Sequence, residues 1–292
     1  MKPQPQTRQA GVLFVVSTPI GNPDDISARA LKVLGDADLI ACEDTRRTGR
    51  LLAAYGLKKQ LVSYFEHNEE RRTPELVERI MRGERIALVT DAGTPSISDP
   101  GFRLVRAALA AGIRVSAIPG PTAAIAALSI SGLPTNRFAF EGFLPTGAGA
   151  RRQLLDSLVL EPRTMIFFEA ARRLAATLGE MAAALGASRN AAVIREVTKT
   201  WEETVRGTLA ELARRFGENP ALGEITIVIE GAPESSVRAG THAVAVTVDS
   251  LLEEGLSLKQ ASGIVAKLTG RSRRQVYQEA LKSRDAREPS GC

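Results

Sequence analysis

The chain has only two cysteines, Cys42 and Cys292, and two histidines, His67 and His242, among 292 residues. Two thiols do not make a disulfide framework, and no zinc-ligand spacing occurs. Aromatic residues are scarce, at 4%. No apolar run approaches the ~20 residues that a bilayer-spanning helix needs; Val12–Val16 is typical of those present. No secretory-signal pattern is visible. The G-x-G-x-x-G fingerprint and the Walker sequence are both absent, which argues against NAD and ATP as ligands. The expectation is a soluble, cytoplasmic protein with neither metal nor membrane contact. Its net charge of +5 points modestly toward an anionic partner.

What the chain does contain is a recurrent junction. Val12–Val16 runs into Ser17-Thr-Pro-Ile-Gly-Asn-Pro23, Ile86–Val89 into Thr90-Asp-Ala-Gly-Thr-Pro95, and Val115–Ile118 into Pro119-Gly-Pro-Thr122. Glycine lets backbone approach a ligand closely, and proline sets the shape of the loop. Helix starts beside such loops add partial positive charge. Three in succession predict a shared ligand cleft. Ile26, Ala30, Val33 and Leu34 recur at helical spacing, as do Leu76, Val77, Ile80 and Met81. Leu39–Ala41 and Leu61–Tyr64 supply further strands. This alternation predicts an α/β fold with a parallel sheet covered on both faces.

The pattern pauses near Ser131-Gly-Leu-Pro134. A second α/β block follows, with strands expected at Phe138–Phe143, Thr164–Phe168, Ala192–Val197 and Ile225–Ile229. The stretch Pro145–Ala150, before Arg151 and Arg152, is expected to be a mobile loop. The length favours more than one domain. Boundaries are expected at 1–10 for a disordered leader, 11–133, 134–233 and 240–292.

In the last segment Ser257 can cap a helix carrying Ala261, Ile264, Val265 and Leu268. Thr269-Gly270 can turn the chain, and Ser272 can cap a helix carrying Val276 and Leu281. This is a helix-turn-helix shape. Residues 250–292 hold eight Lys/Arg against five Asp/Glu, and Arg273 and Arg274 open the second helix. They suit either a solvated surface or contact with RNA or DNA phosphates.

Several charged groups sit at expected strand ends, the ligand edge of an open α/β sheet. Glu43-Asp44-Thr45-Arg46 offers two carboxylates and a guanidinium, or else a helix cap with a surface ion pair. His67-Asn68-Glu69 stands at the same edge, with His67 either a general base or polar surface. Asp91 can meet a ribose hydroxyl or a cation, or simply cap a turn. Arg195-Glu196-Val-Thr-Lys199 and Trp201-Glu-Glu-Thr-Val-Arg206-Gly207 gather charge around one aromatic. They form either an exposed strand pair or a cleft-facing set that grips RNA phosphate. His242 is assigned no role.

Taken together, these segments resemble the tetrapyrrole methylase superfamily. Within it they are similar to the bacterial enzymes that form a 2′-O-methylcytidine in 16S ribosomal RNA. The matching motifs are Ser17-Thr-Pro-Ile-Gly-Asn22, Glu43-Asp-Thr-Arg46, His67-Asn-Glu69, Leu88-Val-Thr-Asp-Ala-Gly-Thr-Pro95 with Asp99-Pro-Gly101, and Pro119-Gly-Pro121. Phe140-Glu-Gly-Phe-Leu-Pro145, Arg195-Glu-Val-Thr-Lys199 and Gly223-Glu224 continue the series, and the basic C-terminal helices fit the RNA branch. Where the family commonly carries Glu-x-Pro-His-Arg, this chain reads Glu169-Ala-Ala-Arg-Arg173, so no catalytic histidine is assigned there.

The resemblance implies a two-domain, class III methyltransferase fold with a helix-turn-helix segment, S-adenosylmethionine as cofactor, and a homodimer. Its partner would be 16S rRNA in the small ribosomal subunit. Cofactor contacts would come from Asp91, Ala92, Gly93, Ser96, Ile97, Pro121 and Thr122, with Phe168, Glu224, Ile225 and Thr226 closing from the second domain. Pro19 and Gly21 would form the first loop of the cofactor site, near the entering substrate. Methyl transfer from a sulfonium needs no metal, only alignment and a group to expose the oxygen lone pair. Glu43, Asp44 and Arg46 are the leading candidates for that group, followed by Lys199 and Glu196. Arg151, Arg152, Arg206, Arg273 and Arg274 would hold RNA phosphates. Methylation of a small anionic porphyrinoid, or a cofactor-sensing nucleic-acid regulator, are the alternatives.

Overall fold

The computed structural model describes residues 11–233, 248–269 and 271–285. The leader, the linker holding His242, Gly270 of the expected turn, and Cys292 lie outside the described residues. Two compact units divide the chain after Ala232.

Within the first unit, five short apolar runs form a parallel sheet. They are β1 (Val12–Val16), β2 (Leu39–Cys42), β3 (Leu61–Ser63), β4 (Arg85–Val89) and β5 (Arg114–Ile118), ordered β3-β2-β4-β1-β5. Alternating side chains serve opposite faces. Leu39, Ala41, Ile86 and Leu88 pack with α3 (Glu69–Met81) and α4 (Phe102–Ala110). Ile40, Cys42, Ala87 and Val89 pack with α1 (Ala28–Asp36) and α2 (Thr45–Ala54). The chain leaves β1 in one direction across the sheet and β4 in the other. Their neighbouring carboxyl ends therefore diverge into a crevice, the usual ligand position of such sheets.

The second sheet is mixed, not parallel throughout. It runs β6-β7-β10-β8-β9 from β6 (Phe138–Phe143), β7 (Thr164–Ala170), β8 (Asn190–Arg195), β9 (Glu203–Thr208) and β10 (Glu224–Ile229). Only β6 and β7 pair in parallel. On one face α5 (Ala123–Ser131) inserts Ala124, Ala127 and Leu128 against Ile166, Ile194 and Val228. The other face is covered by α6 (Ala148–Ser157), α7 (Leu174–Leu185) and α8 (Leu209–Glu218).

Two expectations are corrected here. β8 stops at Arg195 instead of continuing to Val197, because Glu196 adopts φ +52° and leaves the extended region. Glu203–Thr208 pairs with β8 as an edge strand in which only Val205 is buried, in keeping with the exposed-strand-pair alternative. The stretch expected to be a mobile loop starts α6 at Ala148. Arg151 Nη1 pins its entry by donating to the carbonyls of Pro145 and Thr146, at 3.1 and 2.9 Å.

Among its described residues the second unit has three helices, α9 (Val248–Glu253), α10 (Leu258–Thr269) and α11 (Arg273–Asp285). Ser257 and Ser272 accept from the amides of Gln260 and Gln275, as the capping pattern predicts. Ala261, Val265, Ala266, Val276 and Ala280 make its core with Val248. Ile264, Leu268 and Leu281, expected on the apolar faces, are exposed within this unit.

Candidate active site

The loops after β1, β4 and β5 are stitched together at the crevice. Thr18 and Gly93 exchange backbone hydrogen bonds of 2.9 and 3.1 Å. The Ser17 and Thr94 hydroxyls lie 2.8 Å apart, and Thr94 Oγ1 donates to the Pro121 carbonyl at 3.4 Å. Gly93 makes the turn with φ +86°. Asp91 ties β2 to β4, accepting from the Asp44 amide at 3.1 Å and pairing with Arg47 at 3.2 Å.

A cavity of about 830 Å³ opens between these loops and the carboxyl end of β7. Ala92, Gly93, Ile97, Thr122, Phe168, Glu224, Ile225 and Thr226 line it. Pro19, Gly21, Asp91, Ser96 and Pro121 lie outside the lining. Phe143, Asp99, Arg172 and Leu222 line it too, and none had been assigned a cofactor role. Phe143 sits in a quoted motif and packs on Phe168 with ring centroids 5.5 Å apart. Asp99 likewise stands in the quoted Asp-Pro-Gly. Ile97, Phe143 and Leu222 face the opening while 46, 55 and 76% exposed. Such apolar surface at a concave opening suits a largely apolar ligand body.

The charged residues divide by what their side chains already do. Asp44 caps α2, accepting from the Arg46 and Arg47 amides at 2.7 and 3.4 Å, and pairs with the Arg46 side chain at 3.2 Å. Hydrogen bonds from Arg46 hold its carboxyl below the usual range. Arg46 itself is 86% exposed, so this pair follows the cap-and-surface alternative. Glu43 turns the other way and accepts from Thr90 Oγ1 at 3.1 Å. Asp99, half-buried at the cavity, is pushed up to about 6. Burial is the main cause; the Thr90 hydrogen bond opposes it, and the charges of Glu43 and Asp91 add to it. His67 stacks edge-on to Phe65 and is not part of the cavity wall.

Beside the facing wall, and outside the cavity lining, Lys199 Nζ pairs with Glu196 at 2.9 Å and with the wall residue Glu224 at 3.1 Å. Glu196 also accepts the Glu224 amide at 2.9 Å. Burial pulls the Lys199 ammonium down, but its two carboxylate partners outweigh that and leave it raised. Glu196 is lowered, first by Lys199. Gly223, at φ +89°, has no room for a side chain, because a Cβ there would lie 2.4 Å from Glu196 Oε1. Lys199 also crosses to the first loop, where its Cγ would lie 2.4 Å from a Cβ on Gly21. Buried Glu169 accepts from Arg173 Nε and Thr177 Oγ1, each at 2.7 Å.

Of the cations assigned to RNA, most already have partners. Arg151 binds Glu180 at 2.7 Å, and Arg152 pairs with Asp156 at 2.8 Å. Arg206 closes the end of α5 by donating to the Ser131 and Ile130 carbonyls. In the second unit Arg273 donates to the Lys259 carbonyl at 2.9 Å, and Arg274 is exposed. Among the described residues, no three His, Cys, Asp or Glu gather to hold a metal ion. Among them also, no helix is long and apolar enough to cross a membrane.

Comparison with known proteins matches residues 12–213 to the family of tetrapyrrole (corrin/porphyrin) methylases. Residues 239–284 match the RsmI C-terminal HTH domain. The chain is 45% identical over 277 residues to ribosomal RNA small subunit methyltransferase I of Haemophilus influenzae, covering 94% of this chain and 98% of that protein. The Pseudomonas aeruginosa protein of the same name is 48% identical, with 93% and 97% covered. Among solved structures, the methyltransferase CobJ aligns with a TM-score of 0.58 at 19% identity, covering 76% of this chain and 95% of its own. Uroporphyrin-III C-methyltransferase from Thermus thermophilus, complexed with S-adenyl homocysteine, aligns with a TM-score of 0.51 at 19% identity, covering 75% and 97%. These two likenesses speak to fold alone.

Proposed function

The chain belongs to the tetrapyrrole methylase family, and from that premise we propose that it methylates 16S ribosomal RNA of the small subunit, using S-adenosylmethionine. We further infer that the acceptor is the 2′ hydroxyl of a cytidine. The observation that carries the reading is one chain joining the apolar cavity to a C-terminal helical unit matched to the ribosomal-RNA branch.

The cavity suits the cofactor in size and chemistry. Its volume lies within the roughly 300–1,000 Å³ usual for small-molecule sites. Phe143 and Phe168 offer aromatic surface, and Gly93 leaves its backbone open to close approach. Ala92, Gly93, Ile97 and Thr122 on one side and Phe168, Glu224, Ile225 and Thr226 on the other would hold it. The cofactor supplies an electrophilic methyl group on a sulfonium. The protein supplies alignment, exclusion of water and a proton acceptor. The carboxylate cluster that includes Glu43 supports the last role, and the Glu196–Lys199–Glu224 set supports alignment.

The acceptor cytidine is read as an unstacked, single-stranded nucleotide, because an RNA duplex hides its base edges. Exposed Arg274 and neighbouring Arg273 support phosphate contact from the second unit. A homodimer in the cytoplasm completes the reading. It is supported by α5, which leaves Ile125 and Ile130 exposed on a helix that is apolar all round.

The test is incubation of the intact protein with labelled donor and either naked 16S RNA, assembled small subunits or a porphyrinoid. Label in a ribose of subunit RNA is expected; label only in the porphyrinoid overturns the RNA reading. Arg273→Ala with Arg274→Ala is expected to weaken subunit binding and flatten its salt dependence. An unchanged salt slope removes the phosphate role.

A further inference from the structure

Four carboxylates gather at the carboxyl ends of β2 and β4, and three are accounted for. Asp44 caps α2 and binds Arg46. Asp91 holds Arg47 and the Asp44 amide. Glu43 takes the Thr90 hydroxyl hydrogen and is not part of the cavity wall. Asp99 differs from all three. It lines the cavity, and among the described residues it has no ion-pair partner.

We propose that Asp99 is the catalytic residue that accepts the proton of the attacking hydroxyl, with Glu43 acting through Thr90 as a positioning residue. The assignment rests on the ribose-methylation reading above. In the step, the hydroxyl oxygen bonds to the methyl carbon and its hydrogen passes to an Asp99 carboxylate oxygen. The carbon–sulfur bond breaks with its electron pair retained by sulfur, so charge and atoms balance without a further reactant.

The hydrogen count explains why Thr90 stands between the two acids. One hydroxyl hydrogen serves one acceptor at a time. In the structure the Thr90 hydroxyl donates to Glu43 at 3.1 Å. Once Asp99 is ionised, the hydroxyl can turn and donate to it instead. Thr90 thus follows the protonation state of the residue facing the substrate. Burial raises Asp99 to about 6, and Glu43 and Asp91 raise it while the Thr90 bond lowers it. A base with that value is mostly ionised near neutrality yet still takes up a proton readily. The cluster's other charges are Arg47 on Asp91 and Asp44 with Arg46 at the start of α2, and Arg172 lines the same cavity.

The test uses the full chain with small subunits, following methylation in single turnover across pH, and calorimetry with S-adenosylhomocysteine. Wild type is expected to lose rate on the acid side near pH 6, where Asp99 protonates. Asp99→Asn is expected to lower the rate about 100-fold or more, with S-adenosylhomocysteine affinity changed less than about threefold. Thr90→Val removes the lowering hydrogen bond, so its acid limb moves to higher pH. Glu43→Gln removes a raising charge, so its limb moves to lower pH. Opposite movements are a signature that a purely structural cluster does not produce. A rate for Asp99→Asn within about fivefold of wild type, or the same limb in all variants, overturns the proposal. If Asp99→Asn fails to bind S-adenosylhomocysteine, the two limb shifts decide it alone. Wild type that binds no S-adenosylhomocysteine, or methylates no RNA, refutes the underlying reading instead.

Discussion

The wall made by the loops after β1, β4 and β5 is held mainly by backbone hydrogen bonds, whereas the facing wall adds charged side chains to the antiparallel β7–β10 ladder. On the first, Thr18 and Gly93 bond in both directions and Ser17 bonds back to Ile118, so no single side chain carries the arrangement. On the second, Glu169 alone accepts from Arg173, Thr177 and the Ala170 amide, and Glu196 alone joins Lys199 to the Glu224 amide. Removing buried Glu169 strands Arg173, a penalty that backbone hydrogen bonds avoid. The backbone-held wall should therefore tolerate substitution better than the charged one.

The sharpest way to break this contrast is Glu169→Ala. Removing a buried partner of Arg173 is expected to cost about 3 kcal/mol or somewhat more in urea unfolding. A loss under about 1 kcal/mol would mean that this carboxylate is not what holds β7 to α7. Gly223→Ala comes next. Its new Cβ displaces Glu196, and its φ of +89° strains any side chain. We expect a cost of about 1–3 kcal/mol and clearly weaker S-adenosylhomocysteine binding by calorimetry; wild-type affinity would detach this turn from the cavity. Ser17→Ala, on the first wall, is the smallest test. One hydroxyl contact to Thr94 is lost, worth about 0.5–1.5 kcal/mol, with affinity nearly unchanged. A drop as large as that of Gly223→Ala would erase the distinction between the walls.

The two walls were also unequally legible. β1 and β6 have the ends their apolar runs predict, and β4 and β5 each begin one residue earlier. The three Gly/Pro junctions meet because each follows a strand of one parallel sheet. The facing wall was harder to read. β9 buries only Val205, so its sequence left an exposed strand and a cleft-facing set as equal readings, and β8 ends where Glu196 turns into positive φ. Glu43-Asp44-Thr45-Arg46 announced charge at the right edge, but not that Asp44 would cap while Glu43 turned toward Thr90. Asp99 was visible as part of Asp-Pro-Gly, a pattern that ordinary turns also use.

Periodicity and loop composition act within one element, so the residue order alone determined where most strands, helices and ligand-approaching turns begin. It also determined the capped helices of the second unit, since a cap is a contact over three residues. Which carboxylate meets the cavity was decided only in three dimensions. Glu43 and Thr90 are 47 positions apart, and the Lys199 chain reaches the Gly21 loop from the other sheet. Interactions across such separations depend on strand order and sheet packing, and short sequence patterns do not encode either.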